Sequence, residues 1–152
     1  MLIGVISDTH GLLRPEAVAA LAGAEHILHA GDVGDAAILD ALRKISPVTA
    51  LRGNIDVWGV CAELPATDVV ELGDKLFYLV HSVRDLDINP AVAGVSVVVS
   101  GHSHKASVEV RDGVIYFNPG SAGPRRFSLP VTVGFVTVED GVEASVLELV
   151  VG

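Results

Sequence analysis

Apolar residues in this chain come in short, β-branched runs, and most runs stop at a charged or amide side chain. Leu2 to Ser7 ends at Asp8 and suits a strand buried on both faces better than an amphipathic helix. After a polar loop, Pro15 stands at a first helical position and Ala17, Val18 and Leu21 form an apolar stripe. Gly23 is expected to close this helix in a left-handed turn. His26 to Ala30 is a second strand, ending at Gly31-Asp32. Asp35 then caps a helix whose Ile38, Leu39 and Leu42 share a face, with Asp40 and Lys44 paired outside. Val48 to Leu51 gives a third strand, ending at Arg52-Gly53-Asn54. This alternation predicts βα units on a parallel sheet.

From Asp68 the punctuation is that of hairpins. Val69 to Leu72 and Leu76 to Val80 flank a turn at Gly73-Asp74, and the second run ends at His81. A short helix is predicted at Pro90 to Ala93, then a strand from Val95 to Val99 ending at Gly101-His102. Ser107 to Arg111 and Val114 to Phe117 form a second hairpin around Asp112-Gly113. Val131 to Val138 and Val142 to Val150, separated by Glu139-Asp140-Gly141, form a third. No repeat or linker interrupts the 152 residues, which therefore read as one domain, 1–152. The hairpins are expected to build a second sheet packed on the first, with helices outside, in a layered α/β sandwich.

Composition narrows the partners. Half the residues are apolar and only 19% are charged, which leaves little room for disorder. With 19 acidic and 10 basic residues the net charge is -9. That balance excludes a nucleic-acid surface and a polybasic membrane patch, and an anionic substrate needs a local positive charge. The single cysteine, Cys61, excludes an intramolecular disulfide and a multi-cysteine zinc site and fits a reducing compartment. No stretch reaches the ~18 apolar residues of a membrane span, so a cytoplasmic protein is expected. The valine-rich hairpins near the C-terminus suit either a sheet facing the core or a homo-oligomeric interface.

The candidate chemistry lies where the strands end. Asp8, Asp32, Asn54, His81 and His102 each follow an apolar run, and loops beyond the carboxyl ends of strands form the binding crevice of α/β sheets. Asp8-Thr9-His10 and His102-Ser103-His104 each carry ligand types at i and i+2. In extended backbone such pairs point to one side, toward a common ion. Carboxylate, imidazole and amide together suit Mn²⁺, Fe²⁺, Zn²⁺ or Ni²⁺. Taken singly, each piece has an ordinary reading: a turn or helix cap for Asp-x-His, turns for Gly31-Asp32 and Gly53-Asn54, a core histidine for His81. Jointly, four of the six histidines and two aspartates at strand ends point to metal binding. His26 and His29, within a strand, are read as structural. Trp58 and Cys61 lie in a loop, and a lone cysteine without a neighbouring histidine is not expected to be a nucleophile.

Asp8-Thr9-His10, Gly31-Asp32-Val33-Gly34-Asp35, Gly53-Asn54-Ile55-Asp56, His81 and Gly101-His102-Ser103-His104 resemble, in order and spacing, the motifs of the calcineurin-like metallophosphoesterases. The small size and Asn118-Pro119-Gly120-Ser121, followed by Pro124-Arg125, are similar to the compact prokaryotic phosphodiesterase branch related to vacuolar protein sorting 29. The resemblance implies a four-layer αββα sandwich of two mixed sheets flanked by helices. It also implies two divalent ions, with manganese expected and nickel, iron, zinc or magnesium as alternatives. One ion would be held by Asp8, His10, Asp32 and His104 and the other by Asp32, Asn54, His81 and His102, with Asp32 bridging.

The implied activity is phosphodiester hydrolysis by a hydroxide bridging the two ions, without a covalent enzyme intermediate, on a small phosphodiester or nucleotide-like substrate. The ions' charge would outweigh that of their ligands and attract phosphate despite the acidic chain. Asp32, Asn54 and Asp56 form the expected catalytic set, Asp56 by orienting a ligand from outside the coordination shell. Arg125, or its neighbour Arg126, is expected to hold substrate phosphate. Three positions depart from the pattern: Ile55 replaces the histidine that many relatives place as proton donor, Ser82 stands where glycine is usual, and Ser103 where threonine is commoner. Two rival readings share the fold. One is a phosphomonoesterase or nucleotide hydrolase with the same centre, and the other is a non-catalytic protein-binding scaffold.

Overall fold

The computed structural model describes residues 1–151. Its first half runs β1 (Leu2–Ile6), α1 (Pro15–Ala20), β2 (His26–His29), α2 (Ala36–Arg43), β3 (Val48–Ala50), α3 (Gly59–Ala62), β4 (Thr67–Leu72) and β5 (Lys75–Val80). A 3-10 turn at Val83–Asp85 leads to α4 (Pro90–Ala93), β6 (Val95–Val99), β7 (Ser107–Arg111), β8 (Val114–Asn118), β9 (Thr132–Val138) and β10 (Val142–Glu148). The strands form two five-stranded mixed sheets, in the orders β10-β9-β1-β2-β3 and β4-β5-β6-β8-β7.

Within the first sheet β1, β2 and β3 are parallel, and within the second β5, β6 and β8 are parallel. These six strands send Asp8, Asp32, Asn54, His81, His102 and Asn118 to the edges where they end. The C-terminal hairpin does not join the second sheet as the sequence suggests. It joins the first, with β9 antiparallel to β1 from Leu2↔Thr137 to Val5↔Gly134. The reason is burial on both faces: Thr132, Val133, Gly134, Val136 and Val138 are all buried, which requires a place inside a sheet, and β10 then takes the edge. The buried valines of β9 thus face the core.

Alternation along each strand separates the layers. Ile3, Val5 and Leu28 meet Phe77, Leu79, Val97, Val99 and Phe117 between the sheets. On the far side of the first sheet Ile6 and Ile27 meet Ala17 and Leu21 of the α1 region and Ile38, Leu39 and Leu42 of α2. Gly4 makes this approach feasible, because a Cβ there would stand 2.6 Å from Leu21 Cδ2. On the outer face of the second sheet Tyr78, Val80, Val95, Val98 and Val114 are covered by Leu86, Ile88 and Tyr116. The fourth layer is therefore thin, a single turn of α4 with adjoining loop.

Local signals hold in most places. Asp35 accepts from the Ala37 N–H at 2.9 Å and caps α2. Gly73-Asp74 and Asp112-Gly113 have positive φ at both positions, the backbone that matches the twist of two-residue hairpins. Two details differ. Helix α1 ends through Leu21 in right-handed backbone, and Gly23 takes no left-handed turn, because Leu21 is held in the core and fixes the exit of the chain. Asp40 pairs with Arg43 at 3.3 Å, not with Lys44, since Lys44 already sits at the helix cap; both partners are exposed and the pair contributes little. Among the described residues no helix is long and apolar enough to cross a membrane.

Because Phe77 is fully buried between the sheets, Phe77→Ala is expected to lower unfolding free energy by about 3–5 kcal/mol. Val92→Ala, at an exposed site, should change it by less than about 0.5 kcal/mol. Urea unfolding followed by circular dichroism measures both.

Candidate metal centre

The loop after β1 and the loop after β2 lie side by side. Asp8, His10 and Gly11 donate their N–H groups to the carbonyls of Gly31, Asp32 and Val33 at 3.0, 2.9 and 2.9 Å. A third loop is tied in through Ile55, whose N–H donates to Asp32 Oδ1 at 3.1 Å. Gly53 is required here, because a Cβ at that position would run into the Asp32 carboxylate. In the second sheet the Gly101 N–H donates to the His81 carbonyl at 2.9 Å. The two halves meet where the His102 N–H donates to Asp8 Oδ2 at 3.0 Å.

Extended backbone is not what aims the paired ligands. Asp8, His10, Asp32, His102 and His104 have φ of 56°, 46°, 57°, 71° and 64°, in the left-handed region. The chain leaves each strand and turns at once, so the side chains at i and i+2 converge through tight loops and not through strand alternation. Such conformations cost on the order of 1 kcal/mol each for non-glycine residues, and they concentrate where function holds them.

The resulting cluster is compact. Asp8, Asp32, His81 and His104 are 0%, 4%, 6% and 4% exposed. His10 Nε2 lies 3.2 Å from Asp32 Oδ2 and 3.8 Å from Asp8 Oδ1. His81 Nε2 lies 3.4 Å from Asp32 Oδ2 and 3.9 Å from Asp8 Oδ1, and His104 Nε2 lies 3.5 Å from Asp8 Oδ1. Two groups, Asp8-His10-His104 and Asp8-Asp32-His81, bring one ligand atom from each residue within 4.8 Å of the others. Both carboxylates therefore reach histidines of both expected ligand sets, Asp8 as well as the Asp32 expected to bridge. The His10 and His104 rings lie 5.2 Å apart and the His81 and His102 rings 5.3 Å apart between centroids. Asn54 is exposed and lines a cavity of about 210 Å³ with His81, so its amide opens beside the second group.

The donor set fits divalent ions. Asp8 Oδ1, His10 Nε2 and His81 Nε2 are buried without a hydrogen-bond partner, an arrangement that is costly unless something else satisfies them. The other polar atoms of Asp8 and His81 are engaged. Asp8 Oδ2 accepts from Ser7 Oγ at 2.7 Å as well as from His102, and His81 Nδ1 donates to the Ala30 carbonyl at 2.7 Å. That bond leaves the His81 Nε2 lone pair facing the cluster, as outer partners do for metal-ligating histidines.

Electrostatics follow from the same contacts. Burial pushes the Asp32 carboxyl up, but the approach of His81, the Ile55 N–H and the charges of His81 and His10 outweigh it and hold the group at about 2. Burial lowers His81, yet Asp32, the Ala30 carbonyl and Asp8 outweigh it, so His81 is raised. His104 is lowered, first by burial against the pull of Asp8, and then by the charges of Arg126 and His10.

A surrounding layer fixes the loops. The buried Asp56 carboxylate accepts the N–H groups of Val33, Gly34 and Gly53 at 3.0, 3.0 and 2.9 Å. Its contacts are those of a loop-positioning residue. Asn118 Nδ2 donates to the Gly101 carbonyl at 2.9 Å and Ser121 Oγ to the Asp8 carbonyl at 3.1 Å. Sequence reasoning took His29 as structural but missed its partners. Its Nδ1 accepts from the Gly31 N–H at 3.1 Å and its Nε2 donates to Thr9 Oγ1 at 3.0 Å, which donates to the Val33 carbonyl. Burial holds this ring at about 4, hence neutral. Arg125 and Arg126 are both exposed, and Arg126 lines a cavity beside His102. Trp58 is exposed and Cys61 buried and unpaired.

Residues 1–141 match the family model of the calcineurin-like phosphoesterase superfamily domain. A probable metallophosphoesterase of Methanocaldococcus jannaschii is 33% identical over 162 residues, spanning 98% of this chain and 82% of its own. Among solved structures, Vps29 of Entamoeba histolytica complexed with Zn²⁺ has a TM-score of 0.73 at 22% identity, covering 97% of this chain and 99% of its own. A novel archaeal phosphodiesterase has a TM-score of 0.74 at 24% identity, covering 97% and 100%. The last two show the shared fold.

Asp32 and Asp8 favour the protonated form of His81, so an ion at these atoms displaces protons. Calorimetry of Mn²⁺ binding near pH 7 in buffers of different ionisation enthalpy should show net proton release. Affinity should fall as pH is lowered and His81, held above the ordinary histidine range, gains its proton. Binding without proton release would contradict this reading of the site.

Proposed function

The chain belongs to the calcineurin-like phosphoesterase superfamily, and from that premise we propose that it is a metal-dependent phosphodiesterase, with residues 1–152 acting as one domain. The observation that carries the proposal is the convergence of the unpartnered His10 and His81 nitrogens on the Asp8 and Asp32 oxygens. Asp8, His10, Asp32 and His104 would hold one ion, and Asp32, Asn54, His81 and His102 the other. Manganese is the expected metal. When bound, a pair of divalent ions supplies an activated water as nucleophile and the positive charge that offsets the phosphoryl oxygens during in-line displacement.

The chain's own residues set the limits of this chemistry. Asp56 keeps the Asp32 and Asn54 loops in register through its three N–H contacts. Ile55 fixes Asp32 through its backbone and offers no proton through its side chain, which favours substrates with good leaving groups. The archaeal phosphodiesterase of like fold supports diesters as substrates over monoesters. All seven expected ligand positions are filled, which favours catalysis over a purely scaffolding role. The single free cysteine is consistent with a cytoplasmic setting.

Metal-stripped protein refilled with Mn²⁺ should hydrolyse bis-p-nitrophenyl phosphate faster than p-nitrophenyl phosphate. Asp32→Asn should lower the diester rate by roughly a hundredfold or more. Absence of diester turnover with every divalent ion tried would overturn the proposal. Ile55→His should accelerate diesters with poor leaving groups by at least about tenfold while changing activated esters little, read as a shallower dependence of kcat/KM on leaving-group pKa.

A further inference from the structure

Beside the centre, the segment after β5 and the loop after β6 enclose a cavity of about 380 Å³ whose lining includes Ser82, Arg84, His102, Ser103 and Arg126. Its volume is in the range of small-ligand sites. The two arginines come from separate parts of the chain, Arg84 from the 3-10 turn that follows His81 and Arg126 from the loop beyond Ser121.

Among the described residues neither arginine makes an ion pair, although the chain has 19 acidic residues against 10 basic. Both are exposed, and among the described residues only Arg43 and Arg111 of the ten basic side chains pair, with Asp40 and Glu109 at 3.3 and 2.6 Å. Two unpaired guanidiniums at one cavity of an acidic protein form a local field that an anion can use.

The hydroxyl residues are informative too. Ser82 and Ser103 both line this cavity. Ser103 Oγ is positioned by Asn118 Nδ2 at 3.1 Å and the Lys105 N–H at 3.2 Å. His102 forms part of the same wall, so a group bound here is adjacent to one bound at the metal ligands.

We propose that this cavity is a second anion subsite, in which Arg84 and Arg126, with Ser82 and Ser103, hold a terminal phosphate carried by the substrate beyond its scissile diester. The substrate class is then a phosphodiester bearing a further phosphate monoester. Two guanidinium forks match the oxygens of such a group and hold it against a centre that binds the diester. The inference rests on the phosphodiesterase reading and extends it to substrate choice.

The test is calorimetric binding of thymidine 3′,5′-bisphosphate and thymidine 5′-monophosphate to the Mn²⁺-loaded protein. The bisphosphate should bind at least about tenfold more tightly, the gain expected from one added charge-assisted contact. In Arg84→Ala/Arg126→Ala that preference should fall to within about twofold, while Arg84→Lys/Arg126→Lys should keep part of it. The single alanine variants should give intermediate ratios, which keeps the test decisive where the double variant is unstable. Equal affinities in the native protein, or a preference that survives loss of both arginines, would overturn the subsite. Binding is measured without turnover. Selective binding by a protein that cleaves no diester would therefore sink the phosphodiesterase reading alone, and diester cleavage without selective binding would sink the subsite alone.

Discussion

Two carboxylates, Asp8 and Asp32, are buried where both sheets end, and this placement governs the rest of the molecule. An ionised carboxylate withdrawn from water costs several kcal/mol unless charge and hydrogen bonds compensate. Compensation comes from both sheets at once: His10 from the first, and His81 and His104 from the second, lie within 3.9 Å of a carboxylate oxygen. The oxygens not facing the cluster accept from Ser7, His102 and Ile55. The sandwich is thus joined by apolar packing in its middle and by a polar cluster at one edge. That cluster is satisfied on its outer side and unsatisfied toward its centre.

Strained backbone is the cost of bringing ligands from separate strands to one point. Five of the site residues have left-handed φ, and a framework of buried polar groups holds them there. Asp56, Asn118, Ser121 and the His29–Thr9 pair each tie a side chain to the backbone of a different loop. Because these partners are backbone groups, the framework fixes loop shape whatever the ligand identities.

Much of this was legible in the chain. The β-branched runs located the strands, Asp35 marked a helix start, and Asp112-Gly113 marked a turn, because each signal acts over a few residues. The C-terminal hairpin was misplaced because its buried valines are compatible with either sheet, and only pairing with β1 decides. The clustered aspartates and histidines stood out by their positions after strands, but not how they converge, since the left-handed turns at Asp8 and His102 leave no periodic signature. Roles such as that of Asp56 were open for a related reason: a lone loop aspartate looks the same whether its partners are water or three distant N–H groups. Arg84 went unnoticed because an exposed arginine in a polar segment has no pattern of its own.

The account rests on divalent ions lying between Asp8 and Asp32, and locating those ions tests it most directly. Crystals grown with Mn²⁺ and measured at the manganese absorption edge should show two anomalous peaks about 3.5–4 Å apart, one beside His10 and His104 and the other beside Asn54, His81 and His102. A manganese-loaded protein with no peak at these carboxylates, or with its metal bound elsewhere, would contradict the account.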